Sequence, residues 1–346
     1  IEWSRRSLNN HMEKPSLDTA KAGAMRFNTD LSQLEIYDGN QWTGILGDSP
    51  QQQTGSTRGF RTGGYKASPW SDMIDQVNID TTGNAIDFGN LSFGHSSTGQ
   101  GFASRTRGFN AGGYGHHPSA GNTYVNEIEF WTISTSGNAV DFGDMLAKKQ
   151  GVGALSSSTR GIINPGSNAS SAENVIQYVT MSTTGNALDF GDLSVTRTYA
   201  RACASPTRGV NVGGYNPTSN VIDFTTISTQ GNAADFGDYT AAKGGIQVSS
   251  NAVRGILAGG APSNINTINF ITIATLGDSQ EFGDLTRTLT DAAAMASSTR
   301  WCAAGGGETN IIEYVQIMTT GNSIDFGDLN QGVSECAGCS NGHGGL

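Results

Sequence analysis

Residues 137–144 read GNAVDFGD, and the pattern returns five more times: GNAIDFGN at 83–90, GNALDFGD at 185–192, GNAADFGD at 231–238, GDSQEFGD at 277–284 and GNSIDFGD at 321–328. Asp141-Phe142-Gly143 is the tripeptide that binds Mg²⁺ in protein kinases. That reading requires a Gly-rich phosphate loop, a strand lysine and a catalytic-loop aspartate nearby. No H-R-D and no V-A-I-K-like strand occurs in the chain. A catalytic aspartate is needed once, whereas six copies mean architecture.

A second marker keeps the same period. Arg58, Arg107, Arg160, Arg208, Arg254 and Arg300 follow one another at spacings of 49, 53, 48, 46 and 46 residues, four of them in Thr-Arg-Gly. Periods of about 40–50 residues point to propellers or solenoids. Residues 200–238 choose between them. Small residues before Ser205-Pro206-Thr207 predict strand a, Gly209–Gly214 predicts strand b, Val221–Ile227 alternates as strand c, Gly231-Asn232 signals a two-residue hairpin, and Ala233–Phe236 opens strand d. Four antiparallel strands per repeat, without a helical period, make a propeller blade. Six markers predict six blades in an all-β chain. Residues 48–56, DSPQQQTGS, make a poor strand a for blade 1, while GVSECAGCSNGHGGL at the C-terminus makes a good one. The expectation is that residues 333–340 close the ring, with Cys336 placed like Cys203, so that no sheet edge is left open.

Composition agrees. The 346 residues include 48 glycines, only 14% are charged, and the formal charge is −10. Glycine without a three-residue period excludes collagen. The acidic balance and lack of a basic stripe argue against nucleic acid. No run of about 18 apolar residues occurs, which predicts no membrane insertion. No signal-peptide core follows Ile1, and the missing initiator methionine leaves room for an upstream piece. Four cysteines in so long a chain do not make a disulfide framework.

The repeats differ in one place. From each DFG-position phenylalanine to the next arginine the spacing is 19, 18, 18, 18 and 18, but from arginine to phenylalanine it is 30, 35, 30, 28, 28 and 26. The variation falls between strands b and c, so one face of the ring is uniform and the other carries irregular loops. Recognition usually sits on such loops. The longest hold Tyr65 and Trp70 in blade 1, and Tyr114, His116, His117 and Tyr124 in blade 2. Aromatic rings beside Asn, Ser and His suit a glycan. Packing of the loops onto the blades is the competing explanation.

Gly-Gly-Tyr at 63–65, 112–114 and 213–215 resembles the double glycine of kelch propellers, although phenylalanine stands where kelch repeats carry a tryptophan. Residues 1–47 lack the repeat. Met25 and Phe27, then Leu34, Ile36 and Tyr37, then Trp42, predict three short strands, with Asp38-Gly39 as a turn. Such a hairpin has too little core to stand alone and is expected to pack on neighbours or sister chains. Gly23, Arg26, Phe27, Asn28, Leu34, Glu35, Tyr37, Asp38, Gly39 and Trp42 are similar to a short module of bacteriophage tail-fibre and virion structural proteins. The TRG…GGY…DFGDL repeat and terminal GHGGL likewise resemble structural proteins of marine phages. The implied organisation is an attachment and oligomerisation hairpin over 1–47 and a six-bladed propeller over 48–346.

Chemistry is sparse. Cys336, Cys339 and His343 have the look of three zinc ligands, but a structural site needs a fourth. The DFGD acids could hold Ca²⁺. A structural use is preferred, in which each repeated arginine pairs with Asp87, Asp141, Asp189, Asp235, Glu281 or Asp325. No catalytic residues, metal or cofactor are assigned. The resemblance implies a virion protein, located on tail or capsid and oligomeric, with other virion proteins as partners and a host-surface glycan or protein as ligand. A purely structural capsid-decoration, neck or baseplate part is the alternative, and a glycan-cleaving propeller a third reading.

Overall fold

A computed structural model of the chain describes residues 21–28, 33–44, 57–66, 70–96, 99–168 and 172–346. Two compact units divide between Thr54 and Gly55. The boundary expected at 47 and 48, and residues 48–56, lie outside the described residues.

The first unit holds a three-stranded antiparallel sheet of Met25–Asn28, Gln33–Tyr37 and Trp42–Gly44. Arg26 Nε donates to Glu35 Oε2 at 2.7 Å, and its guanidinium lies 4.2 Å from the Trp42 ring centroid. The Asp38 carboxylate accepts the backbone N–H groups of Asn40 and Gln41, each at 2.8 Å, while Gly39 takes φ +103°. The Asp-Gly turn follows from that chemistry.

The second unit is a six-bladed β-propeller with no helix among its described residues. Blade 4 is typical, with strand a Arg201–Ala204, strand b Arg208–Val212, strand c Val221–Thr226 and strand d Ala234–Asp238 in that spatial order. Blade 1 takes its inner strand from the C-terminus: Ala337–Ser340 pairs antiparallel with Arg58–Thr62. The closure is as expected, but its register is three residues later. Cys339 faces Phe60 as Cys203 faces Val210, so Cys339, not Cys336, is the counterpart of Cys203. Val333 instead ends the long strand d of blade 6, Ile324–Val333. Small side chains fill the inner strands because these converge: a Cβ on Gly338 would lie 2.6 Å from the Ala294 carbonyl oxygen.

The DFG pattern is a β-bulge. Ile222 pairs with Gly237 and Asp223 with Asp235, so Phe236 has no partner across the ladder. Its ring turns into the core, 2% exposed, edge-on to Phe224. Gly237 adopts φ +147°, and a Cβ there would lie 2.6 Å from the Gly277 carbonyl oxygen of the next blade. Only glycine meets both demands. The Gly-Asn pair is correspondingly not a hairpin turn but a clamp on the preceding blade. Gly231 N–H donates to Phe190 O at 2.8 Å, Ala233 N–H to Asp192 O at 2.7 Å, and Asn232 Oδ1 accepts from Asp192 N–H at 3.1 Å. The same three bonds recur around the ring, and Gly83, Asn84 and Ala85 make them to Phe326 and Asp328 of blade 6.

The repeated arginines join blades too, but not through the DFG acids. Those six acids are exposed, and none forms an ion pair among the described residues. A carboxylate on the solvent edge of strand d gains little from a distant guanidinium. Each arginine instead reaches a backbone carbonyl after strand c of the next blade. Arg107 donates to Met181 O at 2.9 Å, Arg208 to Ile273 O at 2.8 Å, and Arg300 closes the circle on Ile79 O at 3.1 Å. Five also lie over a strand-c ring of their own blade, such as Arg208 on Phe224 at 4.5 Å. Arg208→Ala is therefore expected to cost about 1–3 kcal/mol, the loss of a charge-assisted bond and a ring contact. Chemical denaturation against the exposed control Lys148→Ala measures it, and equal effects would return Arg208 to the solvated surface.

Candidate functional site

Strand order puts b–c connections and the segments entering strand a on one face. Bridges between the two, Thr198 with Tyr215 and Gly244 with Ala261, knit that face together. Blade 2 departs from the expected loop. Its b–c insertion is a regular β-hairpin, Arg107–His117 paired with Gly121–Thr132, with a register shift between Val125 and Ile128. The two strands extend the blade, and His95–Ser96 adds a further short pairing along one side.

Of the six residues singled out from sequence, the structure brings three together. Trp70 meets Tyr114 edge-on at 5.8 Å between centroids, and Tyr114 meets its cross-strand partner Tyr124 at 5.0 Å. Blade 1 thus leans an indole on the hairpin of blade 2, and all three side chains stay half-exposed. Tyr65 is exposed and takes no part in that stack among the described residues; its backbone bonds Ser334. Residues 67–69 of the same loop lie outside the described residues. The two histidines sit at the hairpin tip and do not act as a pair. His116 Nδ1 contacts Asn122 Oδ1 at 3.0 Å, while His117 Nδ1 contacts Ser119 Oγ at 2.9 Å and its Nε2 lies 3.4 Å from Glu127 Oε1. Behind them Phe93 stacks edge-on against His117. His95 is buried, contacting Phe93 O through Nδ1 and the Asn110 amide through Nε2; burial holds its pKa below the ordinary value.

Cys336, Cys339 and His343 are each absorbed elsewhere. Cys336 packs among Val333 and Cys302, and Cys339 among Phe60 and Trp131. His343 sits where the C-terminal segment crosses the a–b end of the ring axis, its Nε2 within 3.0 Å of Ala103 O and 3.1 Å of Ser156 Oγ, and burial pushes its pKa down to about 4. No cluster of three His, Cys, Asp or Glu able to hold a metal occurs among the described residues.

A second concavity, which sequence reasoning missed, opens over the axis on the b–c face. Its volume is about 640 Å³, and Gln150, Tyr199, Tyr215, Asn216, Asp291 and Glu335 line it with two neighbours. Gln100 closes the channel beneath: its Nε2 donates to Ala202 O at 2.9 Å and Val248 O at 2.7 Å. The remaining inner cavity of about 30 Å³ has room for a water molecule only. The mouth is a cup, not a pore. Asp291 accepts from the buried Arg201 at 3.0 Å, and Gln150 Nε2 donates to Tyr199 Oη at 2.8 Å. Burial, reinforced by Asp291, pushes the Tyr215 hydroxyl pKa up to about 12, so it stays protonated. The available signal was positional: Gly151, Tyr199, Gly245, Asp291 and Glu335 occupy one repeat position, two or three residues before strand a.

Comparison with known families finds no matching family model, and no curated protein matches the sequence.

Proposed function

We propose that the chain is a virion structural protein, a tail-fibre-like adhesin of a bacteriophage, which displays the b–c face of its propeller to a host-surface glycan. The observation that carries this reading is the convergence of Trp70, Tyr114 and Tyr124 from two blades on the irregular face. Half-exposed rings offer apolar planes to sugar C–H groups at low entropic cost. The opposite face repeats one a–b turn and one arginine contact around the ring, which suits scaffolding better than selective recognition. The fibre-like motif of residues 23–42 supplies the virion connection, as tether and oligomerisation element. An oligomer would multiply weak sites through effective concentration. Catalysis is not part of the proposal.

The double variant Trp70→Ala/Tyr114→Ala is expected to retain the fold and lose attachment to host cells, measured with fluorescently labelled protein. Unchanged attachment would favour the second reading, a capsid, neck or baseplate part without a host ligand. The edge-on packing of Trp70 on Tyr114 supports that reading, since it also serves to fix the blade 1 loop. Locating the chain in an intact virion by electron microscopy separates tail from capsid.

A further inference from the structure

We infer that the axial cup is a second binding site, separate from the Trp70 cluster, and that its ligand is a neutral, hydroxyl-rich saccharide unit. Residues from blades 1, 3, 4 and 6 share this cavity, which is possible only over the axis. Its size falls in the range of small-molecule sites, roughly 300–1,000 Å³. The lining joins two tyrosine rings, 5.7 Å apart and edge-on, to carboxylate and amide groups of Asp291, Glu335, Asn216 and Gln150. Carboxylates and amides chelate adjacent sugar hydroxyls, and tyrosine faces take the C–H side. Among the described residues no lysine or arginine lines the cup, so a phosphate or other anion is disfavoured.

The backbone offers a separate argument. At the shared repeat position Gly151 and Gly245 have φ +66° and +61°, as suits glycine. Tyr199 and Glu335 take the same left-handed conformation, at +57° and +53°, although their side chains disfavour it, and Asp291, a residue type that tolerates it better, takes it at +50°. All three line the cup. Strained residues of this kind concentrate at ligand sites. The rings also need room: a Cβ on Gly151 would meet the Tyr199 ring at 2.3 Å, and one on Gly244 the Tyr215 ring at 2.7 Å. Glycines thus seat both tyrosines.

The same backbone supplies a clean test. Tyr199→Gly and Glu335→Gly place at each position the residue that blades 3 and 5 already use, so both variants are expected to fold and melt like the parent. Saturation-transfer NMR would use the methyl glycosides of glucose, galactose, mannose and N-acetylglucosamine at millimolar concentration. The full chain is expected to give signal with at least one of them, and each variant to bind about tenfold more weakly or not at all. The conservative Tyr199→Phe should restore most of the signal. Absence of signal from every glycoside would overturn the proposal, as would signal only from an amine such as lysine methyl ester. Signal that survives in Tyr199→Gly and Glu335→Gly but vanishes in Trp70→Ala would move binding to the rim, overturning the axial site while sparing the adhesin reading.

Discussion

Removing residues 334–346 is expected to lower the melting temperature by about 10 °C or more, since each kcal/mol moves Tm by roughly 2 °C in a domain of this size. The deletion strips Ala337–Ser340 from Arg58–Thr62, and with it the inner strand of blade 1. Phe60, now fully buried, loses Cys339 from its cluster, and the backbone groups of strand b become a free edge. His343 and Gly344 go too, and with them the bonds to Ala103 O and Ser250 O that tie the inner strands together across the axis. What remains at the closure is the outer seam: Gly83 N–H on Phe326 O at 2.9 Å, Ala85 N–H on Asp328 O at 2.7 Å, Asp328 N–H on Asn84 Oδ1, Arg300 on Ile79 O, Asn330 Nδ2 on Asp75 Oδ1 at 2.6 Å, and Gln331 on Ser71 Oγ. Differential scanning calorimetry of the truncated and full-length chains makes the comparison. A truncated chain that melts with the parent would mean that the outer contacts alone hold the ring, and the clasp would be dispensable.

The architecture was legible because one repeat encodes one blade and the clamp chemistry is local in sequence. Gly-Asn, the DFG-type bulge and the Thr-Arg-Gly turn stand at fixed spacing, so counting them counts blades. What the sequence could not reveal is which partner each marker meets. Arginine and acid recur together, and charge alone suggested that they pair. The fold sends them to different places, because the bulge turns Phe236 inward and leaves Asp235 on the solvent edge, while Arg208 points across the blade joint to Ile273 O. Likewise the closing strand was expected with Cys336 in the place of Cys203, and its pairing with Gly59–Thr62 puts Cys339 there instead.

The candidate sites divide in the same way. Trp70, Tyr114 and Tyr124 stood out because insertions mark them, and insertions are visible as spacing. The axial cup carries no insertion. Tyr199, Asp291 and Glu335 replace glycine at a repeat position, and their significance appears only when the ring brings blades 1, 4 and 6 together over the axis.

Among the described residues, two fully buried charge pairs lie at positions that charge counting passed over, Arg61 with Asp75 in blade 1 and Arg197 with Asp223 in blade 4. Asp223 on strand c of blade 4 and Arg197 in the connection entering that blade are both fully buried, with 3.0 Å between Nη2 and Oδ2. Nη2 is not aligned as a hydrogen-bond donor, so the attraction is mainly Coulombic, while Nη1 donates to Val221 O at 3.0 Å. Burial pulls the guanidinium pKa below its ordinary value and Asp223 opposes that. Asp223 also accepts from Ser194 N–H at 3.1 Å and Ser194 Oγ at 2.7 Å, which links it to the segment leaving blade 3. Asp223→Ala is therefore expected to cost about 3–5 kcal/mol, because it leaves a buried cation without its counter-charge. Asp223→Asn separates charge from shape, since blade 5 already carries Asn269 at this place, buried and facing Thr240 Oγ1. It should lose a substantial part of the same stability. Arg197→Met combined with Asp223→Leu should recover most of it, as apolar replacements of buried pairs often do. Urea unfolding of the three variants provides the measurement. If Asp223→Asn unfolds with the parent, the charge contributes nothing and the position serves only as a hydrogen-bond acceptor for the neighbouring blade.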